Sequence, residues 1–154
     1  RHQDFVTKID AILKKENMDA GFFEVEISSS TLMSDVSTSI STLREMSNAG
    51  VKIVIDEFGL GMMSLDLLKD LPISYLKIDQ RFVRGIPAND SDTDIAKAII
   101  EIANILKIKV IATGIETLEQ CQFFINNNCK IGQGYLFGKP LSEEDLALNY
   151  FGIC

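Results

Sequence analysis

The sequence has few of the residues that build zinc sites, disulfide scaffolds or membrane-spanning helices. Its three cysteines, Cys121, Cys129 and Cys154, form no C-x-x-C pair, and His2 is its single histidine. An odd number of separated thiols beside one histidine predicts reduced cysteines and no zinc site. No apolar run approaches the roughly 20 residues of a membrane-spanning helix, and the first residues lack the apolar core of a signal peptide. We therefore expect a cytoplasmic protein whose present segment makes no membrane contact.

Clusters of lysine and arginine are also missing from the sequence, and the formal net charge is −7. A protein that binds a nucleic-acid backbone needs grouped cations to neutralise the phosphates. Nucleic acid is therefore not expected as a partner. A small anionic ligand could still be held by a local site or by a metal.

Apolar residues, by contrast, are plentiful, at 46% of the 154 residues. This content is typical of one globular domain that buries a substantial core. No linker, internal repeat or low-complexity stretch divides the chain, so we treat residues 1–154 as a single domain.

Hydrophobic periodicity predicts strands that alternate with helices. Period-two or continuous apolar patterns predict strands at 22–27, 51–58, 73–79, 108–116 and 130–137. Helical spacing predicts helices at 4–17, 34–50, about 64–69 and 142–151. A further helix is predicted to begin after Ser91 and to bury Ile95, Ile99, Ile102 and Leu106. Another is predicted after a capping box formed by Thr117 and Gln120. The connections are too long for hairpins, so the expected fold class is α/β, with five parallel strands joined by crossovers and helices outside them.

Polar side chains stand where each predicted strand ends. These residues are Glu26, Ser28 and Ser29, then Asp56 and Glu57, then Lys77 and Asp79, then Thr113 and Glu116, and finally Gln133. In parallel α/β folds the carboxyl ends of the strands carry the chemistry. Several carboxylates, one lysine and no histidine predict a site for magnesium, manganese or calcium rather than zinc.

A structural interpretation of these residues stands beside the functional one, because polar residues at strand ends also cap helices and face solvent. It is weaker for Asp56, which directly follows the apolar run V-K-I-V-I and would be costly to bury without a partner. Lys77 lies between Leu76 and Ile78, where an internal ion pair with Asp79 or Asp56 is the alternative to a functional role.

Four ordered motifs resemble a known family. The segments are E-I-S-S-S, the stretch IVIDEFGLGMMSLDLLKDLPISYLKIDQRFV, V-I-A-T-G-I-E-T and G-Q-G-Y-L-F-G-K-P-L, and their order and spacing are similar to those of EAL-type cyclic di-GMP phosphodiesterases. The resemblance implies a partial TIM-type (β/α) barrel. It also implies two divalent metals, magnesium or manganese, that activate the water opening the cyclic dinucleotide.

The resemblance assigns roles position by position. Glu26 and Asp56 match metal ligands, and Glu57 stands at the second aspartate of the family's D-D-F-G segment. Lys77 matches the lysine near the attacking water. Glu116 and Gln133 match the second glutamate of A-E-G-V-E and the glutamine of Q-G-Y, and these two complete the expected catalytic set with Lys77.

Three departures from the family's motifs bear on the expected metal site. Glu57 places its carboxylate one methylene further out than aspartate, although metal sites tolerate only about 0.5 Å of misplacement. Thr113 replaces a ligand glutamate and removes its charge. Ser29 replaces the glutamate that fixes the loop after D-D-F-G, so the loop from Phe58 to Met63 is expected to lose its anchor. At most one weakly bound cation is expected.

The upstream strands that carry the E-A-L motif and a ligand asparagine do not precede Arg1 in this sequence. The sequence predicts five strands in 154 residues, whereas a closed barrel has eight strands and typically about 250 residues. The chain is therefore expected to be the C-terminal part of the fold, either a fragment or a natural truncation.

Three functions remain open at this point. The chain is expected to be an inactive interaction or regulatory module of cyclic di-GMP signalling. It could instead be part of a phosphodiesterase whose upstream half supplies the missing ligands, or a receptor that binds the dinucleotide without cutting it. Open barrel edges and apolar inner faces predict that a second copy or another protein chain covers them.

Overall fold

The computed structural model describes residues 3–59 and 63–151. The predictions that concern His2, Cys154 and the middle of the loop between Phe58 and Met63 therefore lie outside the described residues.

One parallel sheet runs through the described part of the chain. Its strands are β1 (Glu24–Ser28), β2 (Lys52–Phe58), β3 (Tyr75–Ile78), β4 (Lys109–Thr113) and β5 (Ile131–Gln133). Their order is β1-β2-β3-β4-β5, and every adjacent pair is parallel. The predicted α/β class with five parallel strands in sequence order is confirmed.

Helices occupy the connections between the strands, precede the first strand and follow the last. They are α1 (Gln3–Lys15), α2 (Ser29–Ser34), α3 (Val36–Asn48), α4 (Leu65–Asp70), α5 (Gln80–Gly85), α6 (Asp90–Ile105), α7 (Leu118–Asn126) and α8 (Glu143–Leu146), and a π-helical turn, Ala147–Phe151, follows α8. The capping box of Thr117 and Gln120 is present at the start of α7, and Ser142 caps α8 as predicted.

The structure corrects several predicted boundaries. Helices α2 and α5 follow β1 and β3 directly, and both were missed because the chain passes from strand to helix with no loop between them, with only the N-caps Ser28 and Asp79 to mark the change. Asn89, not Ser91, caps α6. Ile95 was expected in the buried face of α6 but is 37% exposed. The fifth strand has three residues instead of eight, because the chain turns after Gln133.

The core lies between the helices and one face of the sheet. Ile53, Ile55, Leu76 and Ile78 are fully buried on that face, and Phe124 is among the largest fully buried side chains. Burial of such side chains stabilises by about 1.5–3 kcal/mol each relative to exposure. This core holds the sheet rigid and so positions the groups at its ends.

The opposite, inner face of the sheet is largely polar. Strand register and side-chain alternation place these residues on it: Glu24, Glu26, Ser28, Lys52, Val54, Asp56, Tyr75, Lys77, Lys109, Ile111, Thr113, Ile131 and Gln133. Side-chain contacts on this face agree, because Lys52 of β2 pairs with Glu24 of β1, and Lys77 of β3 reaches Glu26 of β1 across β2. The expectation of an apolar inner face is therefore wrong for the described strands.

Candidate functional site

A cleft of about 380 Å³ lies at the carboxyl ends of the strands. Its lining comprises Asp56, Glu57, Lys77, Asp79, Gln80, Arg84, Thr113, Gly114, Glu116, Gln133, Gly134 and Tyr135. Five of the six predicted site residues line it directly. The sixth, Glu26, reaches it through a bond to Lys77. Parallel strands bring their carboxyl ends to one edge of the sheet, which explains why residues so far apart in sequence meet here.

Lys77 forms an ion pair with Glu26 across the intervening strand β2. The Lys77 Nζ lies 2.5 Å from Glu26 Oε1, and the lysine side chain is 10% exposed while the glutamate side chain is 45% exposed. The predicted alternatives, a pair with Asp79 or with Asp56, are wrong. A buried ammonium needs a compensating charge, and Glu26 supplies it in the described structure.

Asp79 belongs to the start of helix α5. Its carboxylate accepts hydrogen bonds from Arg81 N at 2.8 Å and from Arg81 Nε at 3.2 Å, and it is the N-cap of the helix. A buried carboxylate satisfied in this way has a structural role.

Asp56 and Glu57 sit on an irregularity in strand β2. The register between β2 and β3 shifts between Ile55 and Phe58, and Glu57 has a φ of 55°. The Glu57 N–H donates to Asp56 Oδ1 at 2.8 Å, while the Glu57 side chain is exposed. A left-handed conformation is uncommon for glutamate, so this bulge places the two carboxylates at the cleft under some backbone strain.

Ser29 contacts this bulge just before the loop that follows it. It is 4% exposed, and its hydroxyl donates to the carbonyl of Glu57 at 3.3 Å. This bond lies on β2, before the loop from Phe58 to Met63, and residues 60–62 lie outside the part of the chain that the structure describes, so the expected loss of the loop's anchor stays a prediction.

Thr113 and Gln133 close the cleft on the side of β4 and β5. The Thr113 hydroxyl donates to the carbonyl of Ile78 at 2.6 Å, which ties the ends of β3 and β4 together. The Gln133 carbonyl accepts from the N–H groups of Gly114 and Ile115, and Gln133 is an exposed residue of the cleft lining.

Gly134 must be glycine for a packing reason. A β-carbon at this position would come within 2.1 Å of the Ile115 carbonyl oxygen. The close approach of the two backbones holds the segment after β5, including Tyr135, against the turn that carries Glu116.

The sequence interpretation missed five residues of the lining: Gln80, Arg84, Gly114, Gly134 and Tyr135. Arg84 lies on α5, which was not predicted as a helix, and its guanidinium donates to Gln80 Oε1 at 3.4 Å. Tyr135 is 62% exposed, with Lys139 Nζ 5.9 Å from its ring centroid. If Q-R-F-V-R-G had been predicted as a helix, the spacing of four residues between Gln80 and Arg84 would have placed both side chains on one face of it.

The donor set does not fit the pair of metals that the family resemblance implies. Across residues 3–59 and 63–151, no group of three or more Asp, Glu, His or Cys side chains is arranged to hold a metal ion. Glu26 is bonded to Lys77, Asp79 caps a helix, and Thr113 is neutral. Hard divalent cations prefer several converging oxygen ligands, which these residues do not form.

None of the described helices has the length and apolar content that a bilayer-spanning segment requires.

Comparisons with known proteins place these features in a family context. The model of the EAL domain family matches residues 1–140. Cyclic di-GMP phosphodiesterase NbdA of Pseudomonas aeruginosa is 40% identical over 136 residues, which are 88% of this chain and 17% of that protein. The chain spans about a fifth of the length of the curated relatives it matches.

Solved structures give the same result. The PaMucR phosphodiesterase in complex with c-di-GMP superposes with a TM-score of 0.88 at 35% identity, over 92% of this chain and 57% of that chain. Klebsiella pneumoniae BlrP1 in a manganese/cy-diGMP complex superposes with a TM-score of 0.83 at 26% identity, over 89% of this chain and 35% of that chain. The partial TIM-like barrel expected from the sequence is confirmed.

Proposed function

This chain belongs to the EAL domain family, and from that membership we propose that it is a module of cyclic di-GMP signalling without two-metal phosphodiesterase chemistry of its own. Its role is then to contact another protein or another domain. The relatives' names and ligands support the signalling context.

The main support for this proposal is that residues at the expected metal-ligand positions bond to other groups of the same chain. The Glu26 carboxylate is bonded to the buried Lys77 ammonium, and the Thr113 hydroxyl donates to a backbone carbonyl. A metal bound by Glu26 would share this carboxylate with the Lys77 ammonium and place a second positive charge beside a buried one, which is unfavourable. Asp56 and Glu57 remain as ligands for at most one weakly held cation.

Thermal unfolding with millimolar manganese or magnesium plus cyclic di-GMP tests the proposal. A ligand present at 100 times its dissociation constant stabilises the native state by about 2.7 kcal/mol. At about 2–4 °C per kcal/mol, tight binding raises the melting temperature by roughly 5–11 °C. We expect no shift in that range and no linear dinucleotide by chromatography.

Two variants sharpen the test. Asp56→Ala removes a carboxylate that lines the cleft, and Glu45→Ala removes an exposed carboxylate of α3 outside it. A shift of 5 °C or more, with linear product, that Asp56→Ala abolishes and Glu45→Ala preserves would overturn the proposal and favour a phosphodiesterase role.

A non-hydrolysing receptor is the second candidate, and the cations of the cleft favour it. Arg84 shares the lining with Lys77 and the exposed ring of Tyr135, and no carboxylate within residues 3–59 and 63–151 forms an ion pair with it. Guanidinium groups bind phosphates well, and aromatic rings stack on bases. Against it, Asp56, Glu57, Asp79 and Glu116 line the same cleft and repel a dianionic dinucleotide.

Calorimetric titration with cyclic di-GMP in the absence of metal separates the two candidates. A receptor binds, and Arg84→Gln weakens that binding at least about tenfold, equivalent to 1.4 kcal/mol. If the chain is instead an interaction module, neither the wild type nor Arg84→Gln releases or absorbs heat on titration with cyclic di-GMP.

A further inference from the structure

A second cleft lies at the opposite, amino-terminal end of the sheet, where β4 and β5 begin. Its volume is about 430 Å³, and its lining is Asn104, Lys107, Ile108, Lys109, Val110, Asn128, Lys130 and Ile131. We refer to this feature as the basic cleft. It shares no residue with the lining of the cleft at the carboxyl ends of the strands.

The charge of the basic cleft is opposite to that of the protein as a whole. Three lysines line it and no Asp or Glu does, although the chain has 22 acidic and 15 basic residues. Within residues 3–59 and 63–151, the Lys107 and Lys130 ammonium groups make no ion pair or hydrogen bond. The Lys109 ammonium lies 5.7 Å from the centroid of the Tyr75 ring. Three ammonium groups around one concavity, none of them paired with a carboxylate among residues 3–59 and 63–151, produce a local positive potential.

The backbone at two lining positions is left-handed. Lys107 has a φ of 60° and Asn128 a φ of 63°, and they follow the ends of α6 and α7. Glycine is the usual residue at such positions because it has no β-carbon. At Lys107 a long cationic side chain stands where glycine would be sterically easier.

Compensation of the helix dipole explains only part of this arrangement. A lysine after a helix C-terminus interacts favourably with the partial negative charge there, which suits Lys107 and Lys130. The helix dipole does not explain Lys109, which is the first residue of strand β4. It also does not explain why lysine and not glycine occupies the left-handed backbone conformation at position 107.

We propose that the basic cleft binds a small polyanion of the pyrophosphate class, with two adjacent phosphoryl groups. Ammonium groups of Lys107, Lys109 and Lys130 neutralise the oxygens, and the Asn104 and Asn128 amides provide neutral donors. The volume lies within the range of about 300–1,000 Å³ typical of small-molecule sites. The binding is independent of the function proposed for the other cleft.

Calorimetric titration of the full chain with inorganic pyrophosphate at low ionic strength tests this site. Saturable binding is expected, and it should weaken as salt is added because the contacts are charge–charge. Lys107→Gly is the key variant. Removal of the left-handed lysine should raise the melting temperature while pyrophosphate affinity falls at least about tenfold, equivalent to 1.4 kcal/mol. A higher melting temperature together with a lower pyrophosphate affinity would show that the loss of binding does not come from a less stable fold.

Three further variants complete the experiment. Lys130→Gln should weaken pyrophosphate binding by a similar factor without a change in melting temperature. Lys97→Gln, on α6 but outside the lining, and Arg84→Gln, in the other cleft, should leave the affinity unchanged. The proposal is overturned by an absence of saturable binding at millimolar pyrophosphate. It is equally overturned if Lys107→Gly and Lys130→Gln keep wild-type affinity, or if Arg84→Gln abolishes it.

Discussion

Lys77 and Glu26 show at the scale of single residues how a site residue is held. The lysine side chain is almost fully buried between β2 and β4, and its only anionic partner among the described residues is Glu26. The two side chains differ in exposure: nearly half of the Glu26 side chain is accessible to water, whereas the Lys77 side chain is almost fully buried. The energetic consequences of losing each partner should therefore also be unequal.

We expect Glu26→Gln to lower the free energy of unfolding by about 2 kcal/mol, since it leaves a buried ammonium without a counter-charge. Lys77→Met should cost about 1 kcal/mol or less, because the remaining glutamate can be hydrated. Urea unfolding measures both.

Glu24→Gln is the matched control for this pair. Glu24 lies two residues earlier on the same strand and face, and it pairs with Lys52 at 3.8 Å with both side chains over a third exposed. Loss of such an exposed pair costs about 0.5 kcal/mol or less. A larger loss for Lys77→Met than for Glu26→Gln would contradict the assigned pairing.

Cys129 provides a pH-dependent prediction at the same scale. Burial raises the pKa of its thiol above the ordinary value of 9.0. Below pH 9 the thiol is protonated in both folded and unfolded chains, so its contribution to stability is fully present. As pH rises beyond 9, the unfolded chain releases the proton first and unfolding becomes more favourable, until the folded pKa is passed.

Urea unfolding at pH 8 and pH 10 should therefore show a larger loss of stability in the wild type than in Cys129→Ala. The comparison is made between the two pH values within each protein, which removes the constant effect of the smaller side chain. An identical pH dependence in both proteins would rule out a buried thiol at this position.

At the scale of elements, the bulge in β2 is the feature that distinguishes this strand from its neighbours. Glu57 occupies a left-handed conformation there, and its backbone N–H and carbonyl bond to Asp56 and Ser29. The side chain is exposed, so its replacement affects mainly the backbone. Asparagine adopts this region far more readily than glutamate.

Glu57→Asn is expected to raise the free energy of unfolding by about 0.5–1 kcal/mol, because it relieves part of the strain of the left-handed residue. Glu57→Ala is the control, since it removes the carboxylate and keeps a β-carbon in the same backbone conformation. Both are compared with the wild type by thermal unfolding. Equal stabilisation by the two variants would attribute the effect to the charge and not to the backbone.

At the scale of the whole molecule, β1 and β5 are the edge strands of the sheet, and neither pairs with a further strand among the residues that the structure describes. Its inner face is mostly polar, so the edges and the exposed apolar side chains are the stronger reasons for association. Phe22, Ile105 and Leu118 are each more than 70% exposed. Unpaired edge strands and exposed apolar groups promote contact between chains.

Static light scattering at high micromolar concentration should therefore give a mass above the 17.1 kDa of one chain. Ile131→Lys introduces a charge on the edge strand β5 and should shift the mass toward the monomer. Leu65→Lys makes the same change of charge on α4, away from the edges, and should have a smaller effect. A wild-type monomer under these conditions would contradict the prediction.

Local sequence patterns determined the elements and their order. Apolar periodicity, the Thr117–Gln120 capping box and the Ser142 cap depend on residues within a few positions of each other, and all are present in the structure. The same patterns failed for α2 and α5, which begin directly after a strand with no loop to separate the two elements. The parallel topology also placed Asp56, Lys77, Glu116 and Gln133 together correctly, because all strand ends of one direction meet at one edge.

Only the tertiary structure decided which charged groups meet. Lys77 pairs with Glu26, 51 positions away, because the register of three strands brings them together, while the nearer Asp79 turns to cap α5. Arg84 enters the candidate site through a helix that the pattern did not reveal, and the basic cleft joins two helix ends to two strand starts. Pairing, burial and local potential depend on distances between segments remote in sequence, and these distances are fixed only when the sheet and its helices pack.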